Sequence, residues 1–151
     1  MNGNEAAAAL AGVGRTEQRL AARAHWPFHR HAMFGLAEGL LVAGVAQPTK
    51  RGLAMGGVAL ALIAVCILED KRRHGMFVSG WQAGATRPLM IALTLFYLAM
   101  LAAAAFVRDG VSTQPLGLLF GAITFAVCTA ASLRWERIYR AELEAGGGTG
   151  W

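Results

Sequence analysis

Of the 151 residues, 56% are hydrophobic and only 15% are charged; this leaves too little polar surface to cover a soluble domain and makes that class the least expected one. The net charge of +5 comes with no aromatic-interleaved basic motif, so nucleic acid is not implied; basic residues beside apolar segments are the usual anchors to anionic lipid. Two cysteines without a Cys-x-x-Cys pattern imply neither a disulfide framework nor thiol exchange.

Along the chain, residues 1–25 carry charge throughout and lack an apolar stretch with a small-residue cleavage site, so a removable signal peptide is not expected. Around residues 16–24, Arg15, Arg19 and Arg23 recur at i, i+4 and i+8, the basic stripe of an amphipathic helix lying at an interface. Four apolar blocks follow, at residues 28–47, 52–68, 88–107 and 115–133. At 1.5 Å per residue, 17 to 20 residues give roughly 26 to 30 Å, close to the hydrocarbon thickness of a bilayer. Backbone groups in lipid need partners within their own segment, so these blocks are predicted to be helices. The fold class expected is all-α, a polytopic four-transmembrane-helix bundle over residues 26–140.

The punctuation between blocks agrees with this. Gln47-Pro48-Thr49-Lys50-Arg51 reads as a helix-breaking turn with two charges. Residues 69–87 read as a mixed-charge, glycine-bearing loop. Ser112 or Thr113 can cap the fourth helix, with Pro115 in its first turn. Trp26 and Phe28, and at the far end Trp135 and Tyr139, fall where aromatic rings prefer headgroup depth. Residues 141–151 have little to pack and read as a flexible tail.

Orientation follows from the basic residues. Eleven of the fourteen Lys and Arg lie before or at the start of the first block (Arg30), between the second and third, or after the fourth, and only Lys50, Arg51 and Arg108 lie on the other side. An even number of spans puts all the rich segments on one face, which places both termini in the cytoplasm by the positive-inside rule. The expected location is a bacterial inner membrane; the Ala, Gly and Arg bias is that of a GC-rich genome.

Few residues can carry chemistry. Glu38 sits at the middle of its block, where an acidic group costs about 2.5 to 3.5 kcal/mol and so should face protein or water. Tyr97 and Thr124 fall at the middle of the third and fourth blocks. Together they form a candidate proton or substrate site, or more plainly a hydrogen-bonded staple worth roughly 0.6 to 2 kcal/mol. Small-residue seams are expected at Gly35 and Gly39, at Gly52 and Gly56, and at Gly117 and Gly121. Glu38 lies about 60° from Gly35 and about 100° from Gly39 around a helix, at the border of the first seam. Arg72, Arg73, Trp81 and Arg87 are candidates for contact with lipid headgroups or a partner. The four histidines lack metal-ligand spacing and read as interfacial. No metal or cofactor is expected, and no nucleophile elbow, paired carboxylates or hydrolase motif points to an enzyme.

Four blocks with an acidic residue in the first, within Gly35-Leu-Ala-Glu38-Gly39, are loosely similar to the small multidrug resistance transporters. That similarity implies proton-coupled exchange by a dimer, with Glu38 as carrier. The long basic segment before the first block, the glycine-rich middle loop and the charged C-terminal extension depart from that pattern, and no family is assigned. The leading expectation is an accessory or scaffold protein that binds membrane-protein partners, lipid or a second copy of itself; the alternative is a proton-coupled transporter of small solutes. Reporter fusions test the topology: a fluorescent protein should be active at both ends, and alkaline phosphatase active only when inserted after Lys50 or Arg108.

Overall fold

Prolines set the helix boundaries. Pro27, extended at φ −68° and ψ 147°, precedes α1, Phe28–Val45, and its carbonyl accepts from the Arg30 N–H at 3.0 Å. Pro48 disfavours helical backbone at Gln47 before it, and α2, Thr49–His74, starts immediately after it. Pro88 occupies the first turn of α3, Arg87–Phe106, and Pro115 that of α4, Gln114–Glu144, positions where a missing N–H is tolerated. The computed structural model describes Gly12 and residues 25–74, 84–108 and 114–145. The amphipathic helix expected around residues 16–24 lies outside the described residues.

The described chain is all-helical, without strands. Three stretches are long and apolar enough to cross a membrane: Thr49–Arg72, Arg87–Phe106 and Pro115–Glu144. α1 does not qualify on the same grounds, because His29, Arg30, His31 and Glu38 dilute its apolar content. Two helices outrun their apolar blocks. α2 continues through Glu69 and Asp70 to His74, where the sequence suggested a turn, and α4 runs to Glu144, so residues 141–144 of the expected tail are helical. Both extensions consist largely of Glu, Lys, Arg, Leu and Ala, which are good helix formers, and the carboxylates of Glu69, Asp70, Glu136 and Glu142 find partners outside their own helix.

The arrangement places at the centre α1, the helix without a stretch apolar enough to cross a membrane. α1 packs against all three other helices, α3 also packs on α4, and α2 rests chiefly on α1. Buried positions on α1 are mostly small: Gly35, Ala37, Gly39, Ala43 and Gly44, with Val42. α3 attaches through one face, Tyr97, Met100, Leu101 and Ala104, against Val42 and Ala46, the i, i+3, i+4, i+7 pattern of a helix stripe. Large apolar side chains point outward, among them Leu53 (73% exposed), Leu95 (63%) and Phe106 (91%). A water-soluble bundle would bury these and expose Arg30 and His31.

α1 and α4 run antiparallel at very short range. From one end to the other, Gly35 lies against Thr129, Gly39 against Phe125 and Gly121, Ala43 against Gly121, and Ala46 against Gly117. A Cβ on Gly39 would stand 2.7 Å from the Gly121 carbonyl oxygen, and one on Gly121 equally close to the Gly39 carbonyl oxygen. Gly52 faces the Gly44 carbonyl oxygen, 2.5 Å from where its Cβ would be, whereas Gly56 has nothing within 4 Å. The glycine pairs of α1 and α4 therefore line one interface, with Gly39 and Gly121 face to face, while the pair on α2 is divided between a contact and open surface. Gly39→Ala should lower stability by about 1–3 kcal/mol through overpacking, and Gly56→Ala should raise it by up to about 1 kcal/mol through helix propensity. Unfolding of the detergent-solubilised protein, followed by helical circular dichroism, measures both.

Candidate functional site

Polar side chains gather at two depths along α1. At the deeper level, the half-buried Glu38 accepts a hydrogen bond from the Tyr97 hydroxyl of α3. Thr124 of α4 is fully buried, but its hydroxyl donates to the Phe120 carbonyl at 2.8 Å, the i−4 bond common for threonine in apolar helices. Its proton is therefore spent within α4. Cys128, one turn further on and also buried, lies within electrostatic reach of both Glu38 and Tyr97. Two grooves open on the bundle surface, one lined by residues that include Leu41, Gln47 and Arg108, the other by residues that include Leu36, Leu40 and Phe125. Glu38 lines neither.

The second level lies where α1 and α3 begin and α2 and α4 end. Arg30 engages Asp70 through a two-pronged fork, Nε to Oδ1 at 2.8 Å and Nη2 to Oδ2 at 2.6 Å, a geometry that only a guanidinium supplies. The guanidinium carbon also lies 4.9 Å from the centre of the Trp26 ring, within cation–π range. His31, 1% exposed, is bound at both ring nitrogens: Nδ1 lies 2.8 Å from Ser132 Oγ and Nε2 lies 2.7 Å from Glu136 Oε2. The other oxygen of Glu136 is 3.1 Å from His25 Nδ1. At the rim, His29 Nε2 is 3.6 Å from Glu69 Oε1.

An aromatic layer adjoins the network. Trp135 stacks on Tyr139 at 4.9 Å between ring centres, and Trp26 tilts against Trp135 at 5.9 Å and Tyr139 at 6.4 Å. The two tryptophans are buried with Leu143, so these rings also pack on one another. The antiparallel pairing of α1 and α4 is the reason, since it brings the start of one helix to the end of the other. Near this layer Glu142 accepts a hydrogen bond from the Ala85 N–H at 3.3 Å, where a carboxylate suits the positive end of α3.

Ser132, His31 and Glu136 stand in the order nucleophile, base, orienting acid. Ser132 nevertheless belongs to the middle of a continuous helix whose amides are bonded within it, which leaves no backbone donors for an oxyanion, and it lines neither groove. The chemistry this arrangement supports is cross-bracing of helices. Of the loop candidates, Arg72 and Arg87 are exposed at this same end, Arg73 follows Arg72 on α2, and Trp81 lies outside the described residues. No group of three or more metal-ligating side chains occurs among the described residues.

The sequence offered no sign of Ser132 and Glu136, placed Asp70 in a mixed-charge loop and took the histidines as interfacial, whereas Asp70 and His31 are buried. The signal available was complementarity between ends: His29, Arg30 and His31 lie in the first turn of α1 with His25 just before it, while Glu69 and Asp70 lie near the end of α2 and Glu136 in the last third of α4. No protein-family model matches the chain, and comparison with curated proteins and with solved structures returns no match.

Removing one partner of a buried ion pair leaves the other uncompensated, at a cost of about 3–5 kcal/mol. Asp70→Asn should therefore destabilise the protein by about that much, and the double substitution Arg30→Met with Asp70→Leu should recover most of the loss. Unfolding in detergent of the two variants and the parent decides it; equal stability of Asp70→Asn and the parent would show the pair to be dispensable.

Proposed function

We propose that the chain is a four-span integral membrane protein with both termini cytoplasmic, and that it serves as an accessory or scaffold subunit holding a partner membrane protein or lipid. On this reading α1 is the first span and the polar network lies at the cytoplasmic end. The enclosure of α1 by the other helices supports it: lipid needs to meet little of α1's polar surface, which is the usual condition for ionisable residues within a bundle.

The observation that carries the accessory role is the imbalance between used and unused surface. The polar groups of α1 are engaged internally, at Asp70, Ser132, Glu136 and Tyr97. Meanwhile only 11% of the apolar stretch of α2 and 6% of that of α3 are buried. Packing between membrane helices comes from close side-chain and backbone contact, not from apolarity alone. α2 rests chiefly on α1 and exposes Val58 and Leu60 on the two sides of the buried Ala59, which leaves it, like α3, a broad surface to offer a partner. A photoreactive residue at Val58 or Leu60 in native membranes should give a protein adduct of discrete mass, and one at the buried Ala43 should give none. Lipid adducts alone from all positions would overturn the protein-partner reading.

Proton-coupled transport by Glu38 is the second reading, supported by the half-buried position of that carboxyl and its single described hydrogen-bond partner, Tyr97. In sealed liposomes, proton flux on addition of a lipophilic cation should be absent for both the parent and Glu38→Gln if the accessory role holds. Flux that the parent supports and Glu38→Gln abolishes would reverse the ranking.

A further inference from the structure

At the end of the bundle opposite the histidine network, the turn between α1 and α2 holds a buried amide with an unmet need. Gln47 is only 6% exposed, and its Nε2 has no hydrogen-bond partner. A buried donor left in that state is costly, so a group that satisfies it has energy to gain. Gln47 lines a groove of about 240 Å³ together with Thr49 and Arg108. Thr49 begins α2, whose first turn contains no acidic residue, and Lys50 and Arg51 follow it. The amides of a helix's first turn have no acceptor within their own helix and carry the positive end of its dipole.

These groups share one chemical preference. An amide N–H, a threonine hydroxyl, a guanidinium and the start of a helix all donate, and together they fit an oxyanion. The remaining wall is apolar, formed by Leu41, Val45 and Leu53. A groove of this volume is smaller than a drug-sized pocket of about 300–1,000 Å³, and suits a phosphate with the first few methylene groups of a chain. We infer that this groove binds one anionic phospholipid, its phosphate held by Gln47, Thr49 and Arg108 and the start of an acyl chain laid against Leu41, Val45 and Leu53. Charge selects the lipid class: Lys50, Arg51 and Arg108 favour a headgroup with net negative charge over a zwitterionic one. In the proposed orientation this is the leaflet away from the cytoplasm. The inference is independent of the accessory role, and either can fail without the other.

The test measures exchange of fluorescent phosphatidylglycerol onto the purified full chain in mild detergent, with fluorescent phosphatidylcholine alongside. Phosphatidylglycerol should bind about tenfold more tightly than phosphatidylcholine, and Gln47→Glu and Arg108→Gln should each weaken it by about fivefold to tenfold. Arg108 is exposed, so its substitution leaves the fold intact and keeps the test decisive if Gln47→Glu is unstable. Arg134→Gln, at the opposite end, should bind as the parent does. Equal binding by the parent, Gln47→Glu and Arg108→Gln overturns the site. Full displacement of the lipid by millimolar inorganic phosphate overturns the lipid assignment, because the acyl contact would then contribute nothing.

Discussion

The whole arrangement depends on one requirement: a helix carrying Arg30, His31 and Glu38 must satisfy each of them within a bundle whose outer surface is apolar. Ions and unmet donors are expensive in low dielectric, and the four helices are placed as though to meet that demand. α2 brings Asp70, α3 brings Tyr97, and α4 brings Ser132 and Glu136. Each neighbour of α1 is thus attached by a polar contact as well as by packing. Such contacts fix register, because a helix sliding by one turn would leave both partners unmet.

Close backbone approach makes those contacts possible. A histidine side chain is short, and His31 reaches both Ser132 and Glu136 because Gly35, Gly39 and Gly121 let α1 and α4 lie nearly in carbonyl contact just beyond it. The glycine seam and the histidine network are two parts of one interface, the first setting the distance and the second setting the alignment. α3 shows the contrast. It lacks glycine, attaches by a single stripe, and leaves most of its circumference outside the bundle.

The helical class and the main breaks could be read from local features: apolar blocks of spanning length, and Pro48, Pro88 and Pro115 beside their starts. The far ends of α2 and α4 could not, because hydropathy marks where lipid would end rather than where a helix ends, and Glu69, Asp70 and Arg134–Glu144 remain helical among other protein groups. The pairings of Asp70 and Glu136 escaped notice for a related reason. Their partners lie 40 and 105 residues away, and only the folded arrangement shows which end meets which. Spacing alone identifies Gly35, Gly39, Gly117 and Gly121 as places where backbones can approach; it does not tell that these line one interface while Gly56 faces open space. At Glu38 the sequence marked Tyr97 and Thr124 by depth, but depth says nothing about direction, and the threonine hydroxyl is turned to its own helix.

The long separation between His31 and its partners also bears on how the protein is made. The chain emerges in order, so α1 is synthesised first and the residues that complete its polar face last, 101 and 105 positions later. At about 5–20 residues per second, that interval is about 5–20 s. Asp70 follows Arg30 by only 40 positions, so the countercharge of Arg30 is made long before the partners of His31. If the helices cross a membrane as proposed, insertion is expected to proceed through a retained α1–α2 hairpin, released only when α4 closes over it, and a chain truncated before Ser132 would be a natural substrate for quality control.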